Sequence, residues 1–204
     1  TTEIYTLSLH DALPICDYLL LTHEDGDHFN PGVAKNVLEK GSRVIILDET
    51  GIFEKSIQSL VSENLWENIY NLDNKKRVEI GDLSVLGIKT MHRMDEKKDN
   101  SWLEVSLGGY NIVHTGDGVL DDYKEAQLLG KVDVLLANVI VYPISLKDIA
   151  SDYVIPLHMH ELGHDRSFLE RNSYNSYLQE LDRYDGTLES KIYPLLWGES
   201  LEIE

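Results

Sequence analysis

The chain has 204 residues, 42% hydrophobic and 26% charged, and a formal net charge of −18. That length suits one domain with one sizeable core. The acidic balance argues against nucleic acid and anionic membrane as partners; the single cysteine excludes a disulfide framework or a Cys-rich metal site, and no apolar run approaches the ~20 residues of a membrane span.

In chain order, Thr1 to Ile15 read TTEIYTLSLHDALPI, which resembles the translation of a common short-read sequencing adapter. Such a segment is set aside before a fold is read. Residues 1–16 are therefore taken as adapter-derived and 17–204 as one partial domain lacking its early N-terminal strands. His10 and Asp11 join no site on this reading, and removing Glu3 and Asp11 leaves the balance strongly negative.

Asp17 to Thr22 reads as a short buried strand. Thr22-His23-Glu24-Asp25-Gly26-Asp27-His28 follows, placing two histidines and two aspartates within six residues. Asn30 and Pro31 open a helix as N-cap and first helical residue; Val33, Ala34, Val37 and Leu38 form its apolar stripe and Gly41 ends it. Arg43 to Asp48 predicts a second buried strand, and Phe53, Ile57, Leu60, Val61 and Leu65 a second amphipathic helix. Lys76 to His92 reads as a hairpin around Gly81-Asp82, followed by strands Trp102 to Leu107 and Tyr110 to His114 across Gly108-Gly109. A helix is expected over Asp121 to Leu129, a strand over Val132 to Val141, a short helix over Ser145 to Ala150 and a strand over Tyr153 to Met159. A long helix starts near Ser167, and Ile192 to Ile203 reads as a strand pair across Gly198. Strands alternating with helices around a block of hairpins indicate a mixed α/β sandwich.

Chemistry-bearing residues recur where the predicted strands end: His23 and His28, His92, His114 to Asp117, then His158 and His160. Imidazole and carboxylate donors delivered at successive strand ends suit zinc, iron or manganese. The bland alternatives are an acidic turn before a helix for residues 23–28, a surface strand-end for His92, and a turn aspartate for Asp117.

Together these residues resemble the metallo-β-lactamase superfamily. Its H-x-H-x-D-H motif stands here as His23-Glu24-Asp25-Gly26-Asp27-His28, followed by His92, the His114-Thr115-Gly116-Asp117 element, and His158 after Ile155-Pro156. Trp197-Gly198-Glu199 is similar to the end strand of lactonase-like members. The resemblance implies an αββα sandwich of mixed sheets holding one or two divalent metals, zinc or manganese, with iron as a further option. One metal would be held by His23, Asp25 and His92, the other by Asp27, His28 and His158, with Asp117 bridging. It implies a hydrolase in which metal-bound hydroxide attacks an ester, lactone or phosphodiester of a small-molecule substrate, with Asp27 and Asp117 catalytic.

Asp25 stands where the family usually has histidine; a carboxylate there shifts preference from zinc towards manganese or iron. His114 reads as a group supporting the ligands, and His160 and His164 as groups at the mouth of the site. A cytoplasmic location is expected; oligomeric state is not legible.

Three further readings stay open. His160-Glu161-Leu162-Gly163-His164 fits the zinc-protease H-E-x-x-H pattern, but it follows a strand and contains glycine where that chemistry needs one continuous helix. The same ligands could serve iron-dependent redox chemistry, or the truncated chain could be catalytically silent with an exposed sheet edge. The segment Asp95 to Asn100 reads as an active-site loop or a solvated turn.

Overall fold

The structure, a computed structural model, describes residues 16–26, 28–92, 99–119, 127–138, 149–157, 191–193 and 201–203. Two sheets pack face to face. The smaller is all parallel, with β1 (Tyr18–Leu20), β2 (Arg43–Ile46) and β3 (Ile69–Asn71) side by side. The larger is mixed. Its antiparallel half comprises β4 (Arg77–Ile80), β5 (Leu83–His92), β6 (Asp99–Leu107) and β7 (Tyr110–His114), with short β8 (Gly118–Val119) against the end of β5. Beyond β7 the strands run parallel: β9 (Val132–Asn138), β10 (Ser151–Leu157) and β11 (Lys191–Ile192).

Side-chain alternation along the strands separates three cores. Ile45 and Leu47 meet Leu83, Val85 and Leu103 between the sheets. Val44 and Ile46, on the opposite face of β2, pack against α1 (Pro31–Glu39) and α2 (Ile52–Gln58) through Ala34, Val37, Leu38, Phe53 and Ile57. The far face of the large sheet carries Ile88, Trp102, Val113, Leu135 and Val154, covered in part by Leu129 and Ile149. Among the described residues, no helix is long and apolar enough to cross a membrane.

Helix α1 follows its sequence signals closely. The Asn30 Oδ1 accepts from the amides of Gly32 (2.9 Å) and Val33 (3.2 Å), Pro31 is the first helical residue, and the chain leaves through Gly41. The second helix does not. It stops at Gln58, and Leu60, Val61 and Leu65 fall in the following turn and a 3-10 stretch over Glu63–Asn68. The sequence reading also passed over β3. The two departures share a cause: the chain must leave the helix early to return and add a third parallel strand beside β2. Asn71 seals that join, donating to the Asp48 carbonyl (2.9 Å) and the Glu54 carboxylate (2.8 Å) while accepting from the Asp48 amide (2.8 Å). Asp48 starts α2, accepting from the amides of Thr50 and Glu54 and the Thr50 hydroxyl. Burial alone would raise its pKa, but these hydrogen bonds outweigh burial and hold the carboxyl below its ordinary value.

The first strand is shorter than expected and β6 begins earlier, at Asp99, so Asp99 and Asn100 lie in a strand rather than a loop. β9 and β10 occupy most of their predicted spans, and β11 joins parallel to β10. The helices expected over 121–129, 145–150 and from 167, and the turn at Gly198, lie wholly or largely outside the described residues.

Gly87, on the inter-sheet face of β5, lets the sheets approach. A Cβ there would lie 2.6 Å from Leu47 Cδ1 and 3.1 Å from Leu72 Cδ1. Gly87→Ala is therefore expected to destabilise the fold by about 1–3 kcal/mol through overpacking. Urea unfolding checks this, and an unchanged midpoint would show that the sheets have room to spare.

Candidate metal centre

Three strand ends deliver the site. The chain after β1 carries Thr22 to His28, the end of β5 carries His92, and the turn between β7 and β8 carries Asp117. The first loop is closed on itself, the amides of His28 (2.8 Å) and Phe29 (2.7 Å) both donating to the Asp25 carbonyl. It is also tied across to the large sheet: Ser101, on β6, donates to the Thr22 carbonyl from both its amide and its hydroxyl, each at 2.9 Å.

The donors converge in two overlapping groups, His23 with Asp25 and His92, and His23 with His28 and Asp117. Within each group one ligand atom per residue lies within 4.8 Å of the others. The imidazole rings crowd together, His23 standing 4.1 Å from His28 and 5.1 Å from His92 between centroids. The carboxylates lie between them. Asp117 places Oδ1 3.2 Å from His28 Nε2 and Oδ2 3.6 Å from His92 Nε2; Asp25 Oδ2 is 3.4 Å from His92 Nε2 and 3.9 Å from His23 Nε2.

His23 is buried, with Nδ1 3.0 Å from the Thr22 hydroxyl. Its Nε2 is buried without a hydrogen-bond partner among the described residues. Burial first, then the neighbouring His28, pushes its pKa down to about 4. The ring is therefore neutral at physiological pH, the form that ligates metal. A metal on Nε2 would set the tautomer in which Nδ1–H donates to the Thr22 hydroxyl, 3.0 Å away.

The residues fit a divalent metal. A buried imidazole nitrogen lacks a partner, its pKa favours the neutral form, and two carboxylates stand within ligand distance of the imidazoles. Nitrogen and oxygen donors in this mixture suit zinc, manganese and iron.

Of the expected site residues, the structure brings together His23, Asp25, His28, His92 and Asp117. His114 ends β7, three residues before Asp117, and its Nδ1 accepts from the Gly116 amide at 2.9 Å. Asp27, His158, His160 and His164, and with the last two the H-E-x-x-H stretch, lie outside the described residues. Sequence reasoning missed Thr22, Thr90, Asn100 and Ser101, which hold the ligand-bearing turns. Short polar residues at strand ends carry no distinctive signal until the turns they hold are seen.

The family model described as "Beta-lactamase superfamily domain" matches residues 4–159. No curated protein matches by sequence. Among solved structures, the chain is similar to Igni18, a metallo hydrolase from the archaeon Ignicoccus hospitalis, with TM-score 0.68 and 14% identity over 93% of this chain and 80% of that one. A possible metal-dependent hydrolase from Veillonella parvula gives TM-score 0.69 and 14% identity over 92% and 76%. CmlA, a diiron β-hydroxylase from Streptomyces venezuelae, gives 0.68 and 13% over 94% of this chain but only 46% of its own length. At such identities the structural likeness speaks for the fold alone, while the family match covers well over half of the sequence. The chain belongs to the β-lactamase superfamily and carries the metallo-β-lactamase fold.

Proposed function

We propose that this protein is a metal-dependent hydrolase acting on a small ester, lactone or phosphodiester. The observation that carries the reading is the overlap of the two donor groups at His23, with Asp117 reaching both His28 and His92. A divalent ion bound there would supply Lewis acidity and bring the pKa of a bound water down to ~7. His23, Asp25 and His92 would hold one ion; His28 and Asp117, with Asp27 and His158, would hold a second. The charge of Asp25 favours manganese or iron over zinc at the first position. The Thr22 hydroxyl would accept from His23 Nδ1–H once Nε2 binds metal, and the bonds of the His28 and Phe29 amides to the Asp25 carbonyl hold His28 in place. The net charge of −18 supports a small-molecule substrate over nucleic acid.

The test is a panel of chromogenic esters, lactones and phosphodiesters assayed with zinc, manganese or iron(II) added to metal-free protein. Metal-dependent turnover of one class, lost in His92→Ala, is the expected result. Turnover that survives both chelation and His92→Ala would overturn the reading. Iron-dependent oxidation without hydrolysis would replace it with the redox alternative, towards which the oxygen donor at Asp25 leans.

A further inference from the structure

Asn100 is a polar residue that the proposed chemistry does not use, yet it is almost wholly buried, at 2% exposure. Its amide makes three hydrogen bonds, all at the ligand end of the large sheet. Oδ1 accepts from the backbone amide of Asp117 (3.0 Å), while Nδ2 donates to the Thr90 hydroxyl (2.8 Å) and the Thr115 carbonyl (3.1 Å). This network fixes which end of the amide is which, since the reversed amide would set NH2 against the Asp117 N–H and oxygen against the Thr115 carbonyl.

The turn is shaped to this side chain. Gly116, at φ +52°, would bring a Cβ to 2.6 Å from both Asn100 Oδ1 and Thr22 Oγ1; a Cβ on Gly118 would overlap Asn100 Nδ2 and Thr90 Oγ1. The next two residues of β6 extend the hold. Ser101 grips the Thr22 carbonyl beside His23, and Trp102 Nε1 donates to the Gly118 carbonyl at 3.1 Å. Three consecutive residues of one strand thus tie down the two main-chain segments that carry His23 and Asp117.

We infer that Asn100 is a positioning residue of the metal centre, holding the Thr115–Asp117 turn so that the Asp117 carboxylate stands between His28 and His92 before metal arrives. The inference rests on the metal-site reading proposed above. Preorganised ligands lose less order on binding, and partners that orient ligands typically contribute 10–100-fold in metal affinity.

The experiment compares zinc affinity, by chelator competition, and the visible spectrum of the cobalt(II)-loaded protein in wild type, Asn100→Ala and Gly118→Ala. Leu83→Ala, a core truncation at the opposite end of β5, is the stability control. Thermal melts of the metal-free proteins place all four on one stability scale. Expected are zinc affinity 10–100-fold weaker and altered cobalt bands in Asn100→Ala and Gly118→Ala, with Leu83→Ala losing stability but keeping wild-type affinity and spectrum. Should Asn100→Ala fail to fold, Gly118→Ala carries the comparison. If the wild type binds zinc and the folded variants match it within threefold, Asn100 serves folding alone and this inference falls by itself. If the wild type binds no zinc, manganese or iron, the metal reading and this inference fall together.

Discussion

Asp117→Ala is expected to weaken metal binding by more than 100-fold and to bring hydrolysis down to the level of the metal-free protein. The expectation follows from its position. One carboxylate oxygen lies 3.2 Å from His28 Nε2 and the other 3.6 Å from His92 Nε2, so a single truncation removes negative charge from beside both imidazoles. Partners that merely orient ligands contribute 10–100-fold, and removing a ligand itself should exceed that range. The Asp117 amide keeps its bond to Asn100 in the variant, so the turn itself should persist. Asp117→Asn, nearly equal in size but uncharged, should fall between the variant and the wild type. Glu24→Ala, an exposed acidic neighbour outside both donor groups, should leave metal content unchanged. Elemental analysis after gel filtration gives the stoichiometry, and chelator competition the affinity. Retention of full metal content by Asp117→Ala would place the metal elsewhere on the chain.

Metal removal is expected to lower the melting temperature by roughly 10 °C. The physical cause lies in what the empty cluster leaves unsatisfied. His23 Nε2 is buried without a hydrogen-bond partner among the described residues, a state that costs about 1–3 kcal/mol, and its ring sits against two other imidazoles. A ligand binding only the folded state adds about 4 kcal/mol at a thousandfold excess over its dissociation constant. For a chain of this length that corresponds to 2–4 °C per kcal/mol, hence the figure of roughly 10 °C. Scanning calorimetry of chelated and metal-saturated protein measures it directly. The Asp117→Ala protein, binding metal more than 100-fold more weakly, should show less than half of that shift at the same metal concentration. A wild-type melt indifferent to zinc, manganese and iron would show that the donors gather for another reason.

Several features were legible without coordinates because short-range geometry encodes them. Asn30 before Pro31 marks a helix start, since a side-chain oxygen two or three residues upstream is what the free amides need. The hairpin at Gly81-Asp82 and that at Gly108-Gly109 declare themselves through alternation broken by turn residues. The density of histidine and aspartate from His23 to His28 read as a candidate metal-binding turn, because imidazole and carboxylate donors at a strand end suit a divalent ion. The resemblance that joins that turn to His92 and Asp117 was equally a matter of order and residue type.

The tertiary structure decided the rest. That α2 ends at Gln58 depends on β3 pairing with β2, a contact between residues more than twenty apart in sequence. Asn100 read as the end of an active-site loop or a solvated turn; only the pairing of β6 with β5, which sets Thr90 opposite it, turns it into a buried support for Asp117. The sharing of His23 between two donor groups depends on the Thr22 carbonyl being held by a residue of the other sheet. The ligand-rich turn at the end of β1 was thus written in the sequence as a list of donors. Their convergence was not, because it follows from the register and packing of two sheets, which no local pattern of residues contains.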